Sequence, residues 1–161
     1  MPKEIERKFR LVSEIWRHRV KRSRKLVQAY VADTEKCVVR VRIEDGARAV
    51  LTIKSRGTHL SRDEFEYPIP VEDARILLES RQGAILEKTR YDVDYDSFVW
   101  EIDVYAGENE GLVIAEVELR SEADEPPIPA FVGAEVTGQT RYYASELARR
   151  PYAEWSPAER A

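Results

Sequence analysis

Charged side chains recur at every second position in several segments of this sequence. Glu4, Glu6 and Lys8 form one such run, and Arg40 and Arg42 form another among valines. Because successive side chains of a β-strand point to opposite faces, each run would place its charges on one face. The charged positions that follow this pattern are Glu4, Glu6, Lys8, Arg40, Arg42, Lys54, Glu64, Glu66, Lys88, Arg90, Glu101, Asp103, Glu116 and Glu118.

These charges could together bind a polyanion that carries a metal ion. Lys and Arg hold anionic oxygens, and Mg²⁺ is usually bound by one or two carboxylates together with substrate phosphates. An antiparallel sheet with one solvated face would also explain the alternation. It would not explain why most polar positions are charged, since exposed ion pairs contribute only about 0–1 kcal/mol each. A sheet closed around the charges would instead form a polar lumen, with its apolar face turned outward beneath helices.

The composition limits the classes of protein to which the chain can belong. Its 161 residues have the size of one ordinary domain, and 43% are hydrophobic, which argues against wholesale disorder. Lys and Arg number 26 and Asp and Glu number 30, so the net charge of -4 disfavours a nucleic-acid-binding protein. We find no apolar run long enough to cross a membrane and no signal-peptide core at the start. The single Cys37 cannot form an intrachain disulfide, so we expect a cytoplasmic protein.

Strand and turn signals dominate the middle of the chain. The pair Asp45-Gly46 between two alternating runs predicts a tight hairpin. The predicted strands are residues 4–9, 26–31, 38–44, 48–54, 63–69, 86–93, 98–105 and 112–120. The predicted helices are residues 13–20 with Ser13 as N-cap, 71–81, and 142–149, which Pro151 ends.

The chain shows no internal repeat and no linker between domains. We predict one domain over residues 1–150 and a C-terminal tail over 151–161, loosely held from residue 155 onward. The basic run at 17–25 is interpreted as a solvated face, although it could also attract polyphosphate or RNA. No interleaved aromatic residues support RNA.

The charged motifs, taken in order, resemble one known family. E-x-E-x-K at residues 4–8 is the signature of the CYTH superfamily, the triphosphate tunnel metalloenzymes. The other segments that resemble this family are R-x-R at 40–42, T-x-K at 52–54, L-S-R-x-E-x-E at 60–66, K-x-R at 88–90, E-x-D at 101–103, E-x-E at 116–118, and E-V-T followed by R-Y within 135–142. The resemblance extends over nearly the whole chain, and the ordered set is far more specific than any single motif.

The resemblance implies an α+β fold in which a closed antiparallel β-barrel, the triphosphate tunnel, carries helices on its outside. It implies a CYTH domain at 1–150 that binds a triphosphate together with a divalent metal, Mg²⁺ or Mn²⁺. The motifs are most similar to those of the bacterial short-chain inorganic tripolyphosphatases. One segment departs from that pattern: Gly138-Gln139-Thr140 stands where such proteins tend to carry charged residues, so we expect a different C-terminal plug.

The resemblance and the chemistry of the side chains together assign a role to each candidate. Lys88 and Arg90 are expected to be catalytic, as the cations nearest the reacting phosphoryl group. The expected phosphate-binding residues are Lys8, Arg40, Arg42 and Lys54, with Arg62 at the rim and Tyr30 evenly balanced between contacting the tunnel and packing. The expected metal ligands are Glu4, Glu6, Asp103, Glu116 and Glu118, with Glu64 and Glu66 ranked lower. For all of these charges the alternative is a purely structural network of ion pairs.

The leading hypothesis is a metal-dependent hydrolase that converts inorganic tripolyphosphate to pyrophosphate and phosphate. Its rivals are a class IV-type adenylate cyclase, a thiamine or nucleoside triphosphatase, and a polyphosphate-binding module without turnover. The expected partner is a small-molecule triphosphate, with no nucleic acid and no membrane, and a homodimer is left open.

Overall fold

Nine strands form one antiparallel sheet in the computed structural model, which describes residues 3–58 and 60–161. The strands are β1 (Lys3–Leu11), β2 (Val20–Asp33), β3 (Cys37–Glu44), β4 (Arg48–Ser55), β5 (Ser61–Ile69), β6 (Gln82–Tyr95), β7 (Phe98–Tyr105), β8 (Val113–Glu118) and β9 (Val132–Glu135). The α-helices are α1 (Val71–Glu79), α2 (Ala144–Arg149) and α3 (Pro157–Arg160). Short 3₁₀ segments lie at Ile15–Arg19, Gly107–Asn109, Thr140–Tyr142 and Tyr152–Glu154.

Pairing between β1 and β5 closes the sheet into a barrel. The strands follow one another in the order β5-β4-β3-β2-β6-β7-β8-β1, and β1 pairs again with β5 through Lys3, Glu4 and Ile5. Beyond that contact, β9 pairs with β1 near its end, outside the ring of eight. The prediction of a closed antiparallel barrel is therefore confirmed.

The apolar positions of the strands face outward and pack beneath the helices. Ala74 and Leu78 of α1 lie buried against Ala29 and Val41 of the barrel. Glu72 and Asp73 occupy the first turn of α1, where the helix dipole stabilises negative charge. A second cluster packs Leu147 of α2 against Tyr30, Val38 and Leu86, which are in phase with the inward-facing charges of their strands, so α2 closes one end of the barrel. With α1 on the outer face, the charged positions of the same strands face the interior.

The Asp45-Gly46 hairpin forms as predicted. Both residues have positive φ, 52° and 66°, which is the combination that a type I′ turn requires and that suits the twist of the flanking strands. From this turn onward, β3 and β4 pair in one continuous register, from the pair Glu44–Arg48 to the pair Cys37–Ser55. That uninterrupted register keeps Arg40 and Arg42 on the same face of β3.

The segment before residue 26 differs from its prediction. A helix was expected at 13–20 with Ser13 as N-cap, but only the 3₁₀ segment Ile15–Arg19 forms, without a side-chain cap. Trp16 in this segment is buried against the ring of Tyr91. The chain then enters β2 at Val20, because pairing with β6 extends as far as Val93. Much of the basic run is therefore strand, and long-range pairing overrides the local charge pattern.

The last residues are held by Trp155 and by hydrogen bonds from Arg10 to the carbonyls of Arg160 and Ala161, although most of 156–161 is exposed, which corrects the expectation of a loose tail. Trp155 is buried, and its ring lies edge-on to Tyr142 with centroids 5.1 Å apart. Ser156 and Glu159 form a reciprocal capping box at the start of α3. A large aromatic side chain at this position anchors the end of the chain to the barrel.

Candidate functional site

The interior of the barrel is a charged tunnel. Among the described residues that line it are eight cationic side chains and eight carboxylates, so the interior is close to neutral. The cations are Lys8, Arg24, Arg40, Arg42, Lys54, Arg62, Lys88 and Arg90. The carboxylates are Glu4, Glu6, Glu44, Glu64, Glu66, Glu101, Glu116 and Glu118. Of the residues proposed from the sequence, all but Asp103 line this tunnel.

The strand order separates the charges into two walls. The strands β3, β2 and β6 carry a cationic wall, which consists of Arg24, Arg40, Arg42, Lys88 and Arg90. The strands β8, β1 and β5 carry a carboxylate wall, which consists of Glu4, Glu6, Glu64, Glu66, Glu116 and Glu118. Each of these strands lies four places around the ring from a strand of the cationic wall. The two groups therefore face each other across the lumen, as a metal-bound anion requires of its two binding surfaces.

Arg40 and Arg42 are the cations of the tunnel that lack a carboxylate partner among residues 3–58 and 60–161. Arg40 donates to Oγ1 of Thr52 at 3.2 Å, and Arg42 donates from Nε to Oε1 of Gln28 at 2.8 Å. Burial and the nearby charges of Arg40 and Arg90 lower the pKa of Arg42 to about 9. An anion placed here would supply the missing counter-charge.

Lys88 and Arg90 share one buried carboxylate. Nζ of Lys88 lies 2.6 Å from Oδ2 of Asp103, while Arg90 donates from Nε and Nη2 to both oxygens of the same side chain at 2.7 and 2.8 Å. Burial, together with the charges of Arg90 and Arg42, lowers the pKa of Lys88 to about 7, although Asp103 opposes the shift. Arg90 also pairs with Glu101 at 3.2 Å and lies 3.6 Å from Glu116, so it is better neutralised than Arg40 and Arg42.

Asp103 does not lie with the other proposed metal ligands. It is fully buried behind Lys88 and Arg90, and both of its oxygens accept hydrogen bonds from them. Burial alone would raise the pKa of Asp103, but Arg90 and Lys88 outweigh it and hold the pKa below its usual value. The other carboxylate of the E-x-D motif, Glu101, lines the tunnel instead.

Glu4 is held at the seam of the barrel by two cations. Oε1 lies 2.8 Å from Nζ of Lys54, and Oε2 accepts from Nε of Arg62 at 3.0 Å. Burial would raise the pKa of Glu4, but these two charges hold it well below its usual range. Arg62, expected at the rim, thus contacts the carboxylate wall, and Lys54 also pairs with Glu64 at 3.2 Å.

Two pairs of carboxylates stand directly opposite each other on neighbouring strands. Glu6 faces Glu118 between β1 and β8, and Glu101 faces Glu116 between β7 and β8. Burial and the charges of Glu116 and Glu4 raise the pKa of Glu6 to about 8. Lys8 lies 3.4 Å from Glu116 and 3.8 Å from Glu6. Burial would raise the pKa of Glu116, but Lys8 and Arg90 hold it well below its usual range. Like charges in opposed positions are destabilising unless a cation joins them.

These carboxylates fit a hard divalent cation by their chemistry. In the described part of the chain, however, no three His, Cys, Asp or Glu side chains converge in a ready-made metal cluster. The reason lies in the ion pairs: Glu4 and Glu116 already contact cations of the tunnel. Metal binding at this wall would require those cations to move to another partner.

The C-terminal segment covers one end of the tunnel. Tyr143, Ala144 and Ser145 line that end, and Nζ of Lys8 lies 5.5 Å from the centre of the Tyr143 ring. Tyr30 lines the tunnel and also belongs to the packed cluster beneath α2, so both alternatives for it are correct.

Residues 138–140, where the sequence departs from the family pattern, lie beside a second pocket that adjoins the tunnel. Gly138 and Thr140 line this pocket together with Thr137 and the loop before β5, and it also reaches Glu4, Glu6 and Lys8. The residues just before this segment are held against β1, because the backbone N–H of Val136 donates to the carbonyl of Lys8 and the N–H of Lys8 donates to Oγ1 of Thr137.

The sequence did not identify several residues of the tunnel. Arg24 belongs to the basic run interpreted as a solvated face, yet it contacts Asp92 and Glu101 inside, each at 3.0 Å. The alternation of side chains along the strand could have indicated this position. Arg24 lies an even number of residues before Gln28 and Tyr30 on β2, so it points to the same face. The other tunnel residues that were not identified are Val38, Glu44, Tyr143, Ala144 and Ser145, and Glu101 was placed on the charged face without a role.

The comparison with family models agrees with this geometry. The model described as the CYTH domain matches residues 2–152. The chain belongs to the CYTH family. Two relatives carry the name inorganic triphosphatase. The protein from Acetivibrio thermocellus is 40% identical over 153 residues, covering 94% of this chain and 97% of the relative. The protein from Nitrosomonas europaea is 36% identical over 153 residues, covering 90% and 96%.

A solved structure shares the fold of this CYTH chain. The crystal structure of the inorganic triphosphatase NE1496 aligns with a TM-score of 0.61 at 32% identity and covers 92% of this chain and 95% of the other. Among the described residues of this CYTH protein, no helix has both the length and the apolar character needed to cross a membrane.

Proposed function

We propose that this CYTH protein is an inorganic triphosphatase, which hydrolyses tripolyphosphate to pyrophosphate and phosphate with the help of a divalent metal. The observation that carries the proposal is the pair Arg40 and Arg42, two cations that line the tunnel without a carboxylate partner among the described residues and face a wall of carboxylates. Two relatives that match nearly their whole length carry this activity in their names.

The two walls explain how a highly charged substrate can be bound. The phosphate oxygens would lie on Arg40 and Arg42, which lack a carboxylate partner among the described residues, and on Lys88. The carboxylate wall, above all Glu4, Glu6, Glu116 and Glu118, would hold the metal, for which we propose Mg²⁺ or Mn²⁺. The bound metal would neutralise part of the charge of the phosphates. Glu64 and Glu66 would belong to the same wall at its outer part.

The residues of the chain would act mainly by position and charge. In hydrolysis, water attacks one phosphorus atom, the P–O bond to the neighbouring phosphate breaks, and the leaving oxygen gains negative charge. Lys88 and Arg90 are held by Asp103, so they require no reorganisation when that charge develops. Fixed orientation of the substrate along the cationic wall lowers the entropic cost of reaching the transition state.

Ligand binding would exchange partners across the tunnel. Lys54, Arg62 and Lys8 neutralise the carboxylates in the ligand-free protein. When metal takes the carboxylates, these cations become available for phosphate, so each ligand favours the binding of the other. The ion-pair network is then the resting state of a binding site rather than an alternative to one.

Phosphate release from a panel of substrates tests the proposal. The panel comprises tripolyphosphate, ATP and thiamine triphosphate, each with Mg²⁺, with Mn²⁺ and with a chelator. We expect fast release from tripolyphosphate that depends on metal. Cyclic AMP formation from ATP would support the adenylate cyclase alternative, and a preference for an organic triphosphate would support a triphosphatase of that class. Tight binding of tripolyphosphate without release would indicate a non-catalytic binding module.

We also propose a cytoplasmic setting and leave a homodimer to measurement. Cys37 is free, as expected in a reducing compartment. Light scattering at several protein concentrations would establish the oligomeric state, and fractionation of cells that express the protein would establish the compartment.

A further inference from the structure

Gln28 on β2 contacts an arginine that lacks a carboxylate partner in the described residues. Its side chain is fully buried, and its Oε1 accepts a hydrogen bond from Nε of Arg42 at 2.8 Å. No other side-chain hydrogen bond is made by Arg42 within residues 3–58 and 60–161. The two residues are direct partners in the antiparallel register of β2 and β3. The barrel itself therefore fixes this contact.

The amide of Gln28 is only half satisfied. Its Nε2 is buried and has no hydrogen-bond partner in the part of the chain that the structure describes. Leaving a buried donor without a partner is destabilising. Glutamate has nearly the same shape, and its carboxylate would form a charge-assisted pair with the guanidinium of Arg42. The chain thus carries a neutral side chain where a charged one would satisfy Arg42 more fully.

We propose that Gln28 is a positioning residue of the anion site, which orients Arg42 by a neutral acceptor and leaves its positive charge available to a phosphate. The inference rests on the proposed function, because it assigns Arg42 to the substrate. A carboxylate would orient the guanidinium equally well, but it would cancel the charge that attracts the phosphate. The surroundings make this distinction important, since Arg42 lies near Arg40, which also lines the tunnel without a carboxylate partner among the described residues.

The decisive variant is Gln28→Glu, which adds charge while keeping shape. We expect the Kd for tripolyphosphate from titration calorimetry, and the KM, to rise roughly tenfold or more, because a charge-assisted contact is lost. The fall in kcat should be smaller, because Arg42 binds ground and transition states alike. The melting temperature of the ligand-free protein should stay the same or rise, because the new carboxylate gains Arg42 as a partner. A merely structural role predicts the opposite: a lower melting temperature and an unchanged Kd.

A second variant keeps the inference testable if the first does not fold. Gln28→Met removes the acceptor without adding charge, so Kd should rise by a smaller factor, and the dependence of binding on salt should stay close to that of the wild type. Gln82→Glu is the matched control, since it makes the same change at an exposed position at the start of β6 and should leave Kd unchanged.

Kd values within twofold of wild type in both folded Gln28 variants would overturn the inference. Wild-type protein that binds tripolyphosphate without hydrolysing it would refute the proposed function alone, and the Kd comparison would still decide the role of Gln28. Wild-type protein that does not bind tripolyphosphate at all would refute both.

Discussion

The Nζ atom of Lys54 lies 2.8 Å from Oε1 of Glu4, across the seam at which the barrel closes. Arg62 contacts the other oxygen of Glu4 at 3.0 Å, so this carboxylate has a cation on each side. A residue proposed to bind metal and two proposed to bind phosphate therefore neutralise one another in the ligand-free protein. Metal and triphosphate must break these ion pairs when they bind. The binding of each ligand should therefore depend on the presence of the other.

Metal and triphosphate should bind cooperatively. Each ligand alone has to displace an ion pair, whereas both together give every separated charge a new partner. We expect the melting temperature to rise more with both ligands than the sum of the rises with each, when measured with a non-hydrolysed analogue of tripolyphosphate. Purely additive shifts would contradict the exchange of partners, and the absence of any shift would count against the tunnel as a binding site.

Glu4→Gln should separate turnover from anion binding. The amide keeps the shape but lacks the charge that binds a hard cation, so turnover should fall by a large factor, about 10²-fold or more. Lys54 and Arg62 lose their shared carboxylate, so metal-free tripolyphosphate should bind more tightly than to the wild type. Glu122→Gln, at an exposed position, is the control and should change neither quantity. Normal activity of the Glu4 variant at low Mg²⁺ would exclude a role in metal binding.

Lys88 and Arg42 should differ in which kinetic constant they affect. Lys88→Ala removes a preorganised cation from the developing charge, so kcat should fall ~10²–10³-fold, by more than KM rises. Arg42→Ala should mainly raise KM, because it binds a phosphate in ground and transition states alike. Steady-state kinetics on tripolyphosphate measure both. Full kcat in the Lys88 variant would make that residue a binding residue only, and no change in either constant would make it a structural partner of Asp103.

The activity of the free enzyme should decline above neutral pH. In the ligand-free protein the pKa of Lys88 is lowered to about 7, chiefly by burial, with Arg90 and Arg42 contributing. The cationic form is the one that binds phosphate, so kcat/KM should fall as the pH rises through about 7, because this constant reports ionisations of the free enzyme. Lys88→Arg keeps its charge at all these pH values and should remove that decline. An identical decline in this variant would assign the ionisation to another group.

Glu6 should make the metal-free protein less stable as the pH rises. Its pKa is raised from 4.5 to about 8, first by burial and then by Glu116 and Glu4. The folded protein holds a proton on Glu6 that the unfolded chain has lost, so the stabilising contribution is complete below about pH 4.5 and is lost by about pH 8. Chemical denaturation across this range should show the loss in the wild type and a flatter profile in Glu6→Gln. Parallel profiles would contradict the assignment.

The shape of the fold and the members of the site follow from the sequence for a simple physical reason. Alternation with a period of two holds over the regularly paired stretches of β1, β3 and β8, so Glu4, Lys8, Arg42 and Glu118 could be placed on one face of a closed sheet from the sequence. The order of the motifs then indicated the family. The same reasoning identified the hairpin at Asp45-Gly46, because that turn depends on two adjacent residues only.

Only the tertiary structure decided which charges are partners. Glu4 and Lys54 meet because β1 pairs with β5 at the end of a ring of eight strands, a closure between residues far apart in the chain. Pairing of β6 with β7 placed Asp103 behind Lys88 instead of in the tunnel, and pairing of β2 with β6 extended β2 so that Arg24 faces inward. The neutral contact between Gln28 and Arg42 was equally invisible in the sequence. Residue types and local spacing determine which face a side chain takes, whereas its contacts across the lumen depend on strand order and register, which form only when distant segments pair.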